Sequence, residues 1–160
     1  MEQILRVDAP SVEDVARVAR NMRPNDFTEF SAVSFADTRE ALAETLVQRY
    51  GTFPGTLCIY DGDEPIAVGA MLQARPNVAT LLFFATAEFP RVALGTTKFI
   101  RQRLFPMARK SGVHRIECVS IEGYHEAHRW IGVLGLEREA VLRGYGKNGE
   151  TFIQFAWVQS

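Results

Sequence analysis

Cysteine is scarce in this sequence, long apolar runs are absent, and the formal net charge is only -1. Cys58 and Cys118 both fall within strand-like apolar runs, which favours two small buried side chains over a disulfide framework and predicts a reducing compartment. No window approaches the ~20 apolar residues that a membrane-spanning helix needs, and the N-terminus has no cationic start followed by an apolar run. We therefore expect a soluble, cytoplasmic protein with no membrane partner.

Repeats, low-complexity tracts and linker-like segments are also missing. A chain of 160 residues fits one domain and can bury roughly 70% of the surface that its unfolded form exposes. Because the net charge is near zero, the overall composition gives no reason to expect nucleic acid as a partner. We predict a single domain over residues 1–160, in which any electrostatic function comes from local charge.

Charge is distributed unevenly along the chain. Acidic residues gather in the first fifty positions: Glu2, Asp8, Glu13, Asp14, Asp26, Glu29, Asp37, Glu40 and Glu44. Between Phe89 and Ile116 the residues that carry a full charge are all cations: Arg91, Lys98, Arg101, Arg103, Arg109, Lys110 and Arg115. This asymmetry suits a cationic substrate at one end and an anionic cofactor at the other.

The first fifty residues predict one strand and two helices. A short apolar strand over Gln3–Val7 precedes a helix that is capped by Ser11 and runs to about Asn21, after which Pro24 ends it. The segment Arg23–Thr38 carries polar groups beside aromatic ones and is predicted to be an irregular, functional loop. A second helix is predicted over Arg39–Arg49.

The rest of the chain predicts six strands and two helices. The turn Asp61-Gly62-Asp63-Glu64 is a strong hairpin signal because glycine supplies the positive φ that such turns need. The predicted strands are Thr56–Tyr60, Pro65–Leu72, Val78–Thr86, Val113–Ser120, Glu137–Tyr145 and Thr151–Val158, and the predicted helices are Arg91–Lys110, which Pro106 should kink or divide, and Tyr124–Leu134. This order predicts an α/β fold with a mixed, mostly antiparallel sheet flanked by helices.

A strand that leads directly into a cationic helix is a template for binding phosphate. The unpaired N–H groups and the dipole at a helix start both favour an anion there. The strand that ends near Thr86 and the basic helix from Arg91 form such a pair. The alternative is a solvated basic helix face with no ligand.

The order of elements, and the short last helix that ends in Leu134-Gly135-Leu136 before a hairpin, resemble the GNAT superfamily of N-acyltransferases over nearly the whole chain. The resemblance implies a GNAT-like fold and acetyl-CoA as co-substrate. The family's pyrophosphate loop, R/Q-x-x-G-x-G/A, corresponds to Arg91-Val92-Ala93-Leu94-Gly95-Thr96, in which Arg91, Gly95 and Thr96 are the expected cofactor contacts. Backbone N–H groups near Phe84, Ala85 and Thr86 would bind the thioester carbonyl oxygen.

The resemblance also indicates which residues would catalyse. The candidate bases, which would take a proton from an ammonium substrate, are Glu88, Asp26 and Glu29, and each has the alternative of being a solvated surface carboxylate. The family's general-acid tyrosine corresponds to Ile131, and Tyr124 is the nearest substitute. Acid–base assistance is worth about 10²–10⁴-fold, whereas positioning lowers a barrier by roughly 7–11 kcal/mol, so the loss of the tyrosine leaves catalysis feasible.

Other uses of these residues are less well matched. His125 and His128 are three positions apart, whereas the zinc-protease motif needs a spacing of four, so we expect no metal site. The basic helix has few aromatic residues to spare for stacking on bases, so we expect no nucleic-acid partner. The terminal hairpin is able to pair with a second copy of the chain, which would give a homodimer.

The sequence thus predicts an N-acetyltransferase in which a primary amine attacks acetyl-CoA directly in a ternary complex. The acceptor is open: a polyamine, an antibiotic, an amino acid or a protein terminus all fit. The alternative is a catalytically weak or inactive binding or assembly protein. The run Arg23-Pro24-Asn25-Asp26-Phe27-Thr28-Glu29 and Trp130 resemble bacteriophage-encoded GNAT-like proteins, some of which are virion-associated.

Overall fold

The structure of the protein, a computed structural model, describes residues 5–160. The strands in this part of the chain are β1 (Leu5–Asp8), β2 (Thr56–Asp61), β3 (Glu64–Arg75), β4 (Val78–Ala85), β5 (Arg115–Ile121), β6 (Glu137–Leu142) and β7 (Phe152–Val158). The helices are α1 (Val12–Arg20), α2 (Pro24–Ala32), α3 (Arg39–Tyr50), α4 (Ala93–Phe99), α5 (Phe105–Lys110) and α6 (His125–Val133). A 3₁₀ turn, Phe89–Arg91, precedes α4, and a π-helical segment, Ile100–Leu104, joins α4 to α5.

The strands belong to one sheet in the order β1-β2-β3-β4-β5-β7-β6. The pairs β1–β2, β2–β3, β5–β7 and β6–β7 are antiparallel. Strand β4 pairs in parallel with β5, and this register joins Val78–Thr80 to Arg115–Glu117. The predicted fold class, α/β with a mixed and mostly antiparallel sheet flanked by helices, is confirmed.

The described residues divide into two compact units. The first contains the chain up to Met71 together with Leu82–Thr96, and its fully buried side chains include Val15, Val18, Leu42, Ile66, Val68 and Phe84. The second contains Leu72–Leu81 and Thr97–Ser160, and its fully buried side chains include Phe105, Val113, Ile116, Phe152 and Ile153. The single domain stays a prediction.

Most of the predicted elements are present, and their ends differ from the predicted ones by at most three residues. The hairpin turn between β2 and β3 has Gly62 at φ 61°, as predicted. The irregular loop predicted over Arg23–Thr38 is wrong in its first half, because Pro24–Ala32 is the helix α2. The first predicted strand survives as β1, while its residues Gln3 and Ile4 lie outside the described residues.

The predicted basic helix begins later than expected and changes its hydrogen-bonding pattern before Pro106. Pro90 lies in the 3₁₀ turn, so the α-helix begins at Ala93 rather than at Arg91. Pro106 has no N–H group to donate to the carbonyl four residues earlier, and the turn before it is π-helical, with the amide of Phe105 bonded to the carbonyl of Ile100. The kink or break predicted at Pro106 thus corresponds to a change of helix type, from the π-helical segment to α5, just before this proline.

Within residues 5–160, we find no helix that combines the length and the apolar character required to cross a bilayer.

Candidate functional site

The C-terminal end of β4 is paired with the chain that enters α2. Met22 forms an antiparallel bridge with Thr86, and the N–H of Arg23 donates to the carbonyl of Ala85 at 2.9 Å. The N–H of Thr86 donates to the carbonyl of Ile66 in β3 at 2.9 Å. These contacts fix the backbone at Ala85 and Thr86, two of the positions at which the family resemblance implies binding of the thioester carbonyl oxygen.

The amide of Ala85 is bonded to a carboxylate of the protein itself. Its N–H donates to Oδ2 of Asp26 at 2.9 Å. The same carboxylate receives two bonds from Arg23, Nε to Oδ2 at 3.0 Å and Nη2 to Oδ1 at 3.2 Å. Asp26 is 2% exposed, so this is a buried ion pair with a backbone donor added, rather than a solvated carboxylate.

Local sequence explains why Asp26 lies there. Pro24 occupies the first turn of α2, where its missing N–H costs nothing, and Asp26 follows in that same turn, where the helix dipole favours an acid. Spacing of three residues on a helix lets Arg23 reach Asp26. In the sequence, the run Arg23-Pro24-Asn25-Asp26 signals the start of α2, although the segment was predicted to be an irregular loop.

The segment before α2 is anchored from α3. Arg39 donates from Nη1 to the carbonyl of Met22 at 2.9 Å, and its guanidinium lies 4.8 Å from the centroid of the Phe27 ring. The guanidinium of Arg23 lies 5.2 Å from the centroid of Phe89. These contacts hold Arg23 against the end of β4.

Arg91, the first residue of the predicted pyrophosphate loop, is surrounded by carboxylates. Its guanidinium donates to Asp61, to Glu64 at 3.1 Å and to Glu88 at 3.3 Å. Partial desolvation alone would lower the pKa of Arg91, but hydrogen bonds to Glu88 and Glu64 and the attraction of Asp61 raise it. Three carboxylates around one guanidinium leave this cluster negative, so a diphosphate would have to compete with them.

The other two loop candidates lie inside α4. A Cβ added to Gly95 would meet Cδ2 of Leu5 at 2.7 Å, so the missing side chain here allows close packing of β1 on the helix. Thr96 is fully buried, and both its N–H and its hydroxyl donate to the carbonyl of Val92, at 2.9 and 2.7 Å. That Arg91, Gly95 and Thr96 contact a cofactor stays a prediction.

The amides that lead into α4 are also bonded within the chain. The N–H of Glu88 donates to Oγ1 of Thr86 at 3.3 Å, and that of Phe89 donates to the carbonyl of Thr86 at 3.1 Å. The 3₁₀ turn then bonds Arg91 to Glu88 and Val92 to Phe89. The amides of Glu88, Phe89, Arg91 and Val92 are therefore already bonded to acceptors in the chain.

The remaining candidate residues for cofactor binding and catalysis lie in both units. Phe84 is fully buried, with its ring edge-on to Phe30 at 5.5 Å between centroids. Glu29 lies on α2 one turn beyond Asp26 and is half-buried. In the second unit, Tyr124 is the N-cap residue of α6 and is 6% exposed. Asp26 contacts Ala85 and Glu88 contacts Arg91 within the first unit, whereas Tyr124 belongs to the second unit. The catalytic roles of these residues stay predictions.

Trp130 and His128, which the sequence analysis discussed, make contacts within the second unit. The indole N–H of Trp130 donates to Oγ1 of Thr97 at 2.9 Å. Nε2 of His128 lies 3.0 Å from the carbonyl of Ile121, and burial lowers the pKa of this histidine. Among residues 5–160, no group of three or more side chains of the metal-binding types is close enough together to hold an ion.

The cations of the basic helix differ in their surroundings. The guanidinium of Arg109 lies 4.4 Å from the ring centroid of Trp157, so it makes a cation–π contact within its own unit. Lys98, Arg101 and Arg103 have exposed side chains.

The arrangement of strands and helices described above matches that of solved GNAT-type acetyltransferases. Three solved structures illustrate the likeness. Ard1 from Thermoplasma volcanium has a TM-score of 0.71 and 14% identity, with 98% of each chain covered. The ribosomal-protein-S18-alanine N-acetyltransferase from Escherichia coli has a TM-score of 0.68 and 14% identity, with 98% of this chain and 95% of that chain covered.

The third is the GNAT-family acetyltransferase from Bacillus anthracis, with a TM-score of 0.67 and 12% identity, covering 98% of this chain and 95% of that chain. No protein-family model matches the sequence, and no curated protein matches it. At these identities the likeness establishes the fold over nearly the whole chain.

Proposed function

We propose that this protein is an N-acetyltransferase that moves an acetyl group from acetyl-CoA to a primary amine. The observation that carries the proposal is the fold, since solved acetyltransferases share it over nearly the full length of the chain. The reaction mechanism, the residues that contact acetyl-CoA and the class of amine acceptor are parts of this proposal.

The reaction is a direct displacement in a ternary complex. The amine nitrogen attacks the thioester carbonyl carbon, a C–N bond forms, the C–S bond breaks, and coenzyme A leaves as a thiolate that takes up a proton. Glu88 and Glu29 are the proposed acceptors for the proton of the ammonium substrate, and Tyr124 or water would supply the proton to the thiolate. Backbone amides of β4 would stabilise the negative oxygen of the intermediate.

A cationic acceptor suits the charge of the first unit. The cluster of Asp61, Glu64 and Glu88 around Arg91 is negative overall, and Glu29 adds another carboxylate in the same unit. An ammonium group, whether of a polyamine, an antibiotic, an amino acid or a protein N-terminus, would be attracted to it. We further propose that the protein works in the cytoplasm without nucleic acid, membrane or metal, and that it forms a homodimer.

A second candidate is a binding or assembly protein that has lost efficient turnover. It is favoured by the internal carboxylate on the amide of Ala85, by the carboxylates around Arg91, and by Ile131 at the position of the family's tyrosine. The resemblance to bacteriophage-encoded, virion-associated proteins belongs to this candidate.

Release of free thiol from acetyl-CoA tests the proposal. The protein is incubated with acetyl-CoA and a panel of amines: a polyamine, an aminoglycoside, an amino acid and a peptide with a free N-terminus. We expect thiol release above the rate without protein for at least one amine, and a fall of about 10²-fold or more in Glu88→Gln if Glu88 is the base. Asp63→Asn, which removes a nearby charge, serves as the control. A folded protein that releases no thiol with any amine would favour the second candidate.

A further inference from the structure

We infer that Ala85 and Arg23 form a two-donor oxyanion site on β4, and that Asp26 is its resting occupant, which an acyl group must displace. This inference rests on the proposed function, because it assigns a role to Arg23 in the same acetyl transfer. It makes Arg23 a catalytic residue that the sequence pattern did not indicate.

The geometry of one oxygen atom carries the inference. Oδ2 of Asp26 receives the N–H of Ala85 at 2.9 Å and the Nε–H of Arg23 at 3.0 Å. Two donors that converge on a single negative oxygen at these distances are what an oxyanion intermediate of acyl transfer requires. An oxygen that replaced Oδ2 would inherit both bonds.

The direction of the Ala85 amide is set by the strand. The N–H of the next residue, Thr86, donates to Ile66 in β3. Because successive amides of a strand point to opposite edges, the N–H of Ala85 points away from β3, toward the edge that Met22 and Arg23 occupy. This amide is therefore available to a ligand at that edge once Asp26 leaves it.

Arg23 is held in place independently of Asp26. Its own N–H donates to the carbonyl of Ala85, its guanidinium lies over Phe89, and Arg39 binds the preceding carbonyl at Met22. A change of the Asp26 side chain would thus leave the second donor near the amide. The carboxylate competes with an acyl oxygen for the same two donors, so the resting state disfavours acetyl-CoA relative to coenzyme A without an acyl group.

The affinities of acetyl-CoA and of coenzyme A test this, measured by calorimetry on the wild type, Asp26→Ala, Asp26→Asn and the control Glu40→Gln, which removes an exposed acid from α3. We expect the ratio of acetyl-CoA affinity to coenzyme A affinity to rise about tenfold in Asp26→Ala, less in Asp26→Asn, and not at all in the control. A ratio that stays constant while both ligands bind would overturn the inference. Failure of both ligands to bind any variant would instead overturn the proposed function.

Two further measurements guard against variants that do not fold. In the wild type labelled with ¹⁵N, acetyl-CoA but not coenzyme A should shift the amide resonance of Ala85, and binding without that shift contradicts the inference.

The double variant Arg23→Gln with Asp26→Asn leaves no buried charge unpaired. We expect its kcat to be about 10²-fold below that of Asp26→Asn alone, from the loss of one donor, with an unchanged affinity for coenzyme A. An unchanged kcat would show that Arg23 acts only in packing.

Discussion

Glu139 illustrates how one residue can make stability depend on pH. Oε1 and Oε2 of this glutamate accept two bonds from Arg115, at 2.5 and 2.8 Å, and Gln154 donates to Oε1 at 2.8 Å. The Arg115 bonds are the main reason that the pKa of Glu139 falls from 4.5 to about 2. The carboxylate is therefore stabilised in the folded protein relative to the unfolded chain.

Since the folded pKa lies below the ordinary one, this stabilisation is present above about pH 4.5 and is lost as the pH falls toward 2. We predict that the urea midpoint falls less steeply between pH 5 and pH 2.5 in Glu139→Gln than in the wild type. Glu122→Gln, a change of another exposed acid in the same unit, is the control. Identical pH profiles for all three proteins would contradict this account.

Residue-scale predictions from sequence succeeded where the local pattern determines the environment. Ser11 caps α1 as predicted, its hydroxyl accepting the N–H of Asp14 at 3.1 Å. Asp26 was recognised as a candidate, but its burial depends on a partner in β4, 59 positions along the chain. Gly95 was identified by its type, whereas its packing on Leu5 follows from a contact that no local pattern specifies.

At the scale of elements, caps determine where several helices start. The hydroxyl of Thr38 accepts the N–H of Ala41 at 3.1 Å and so satisfies one of the free amides of α3. We predict that Thr38→Ala lowers the free energy of unfolding by about 1 kcal/mol, measured by urea denaturation, and that Thr38→Ser retains most of it. Thr52→Ala, at an exposed threonine beyond the end of α3, should have little effect. Equal losses in the two alanine variants would argue against the cap.

The same scale explains which elements were predictable. Helix α3 was placed within one residue because its apolar residues recur at helical spacing. Helix α2 was missed because Pro24 was interpreted only as the end of the preceding helix, and the aromatic and acidic residues after it as a loop, whereas Pro24 lies in the first turn of α2. The π-helical segment Ile100–Leu104 shows that the position of a proline-induced break was predictable, while its form was not.

For the whole molecule, the fold is the feature on which the proposed function rests. The sequence predicted the fold through its alternation of strands and helices, and the sheet order and the solved acetyltransferases agree with it. The site was less predictable, because the partners of Asp26, Ala85 and Arg91 are distant in sequence and were invisible to spacing arguments.

The melting temperature of the full chain with acetyl-CoA tests the central claim most directly, with ADP and acetate at equal concentration as controls. Ligand at about 100 times its dissociation constant stabilises a fold by about 2.7 kcal/mol, which for a chain of this length raises Tm by roughly 5–10 °C. We predict a rise of this size with acetyl-CoA that exceeds both controls. An unchanged Tm at millimolar acetyl-CoA would contradict the claim that this protein binds an acyl-CoA donor.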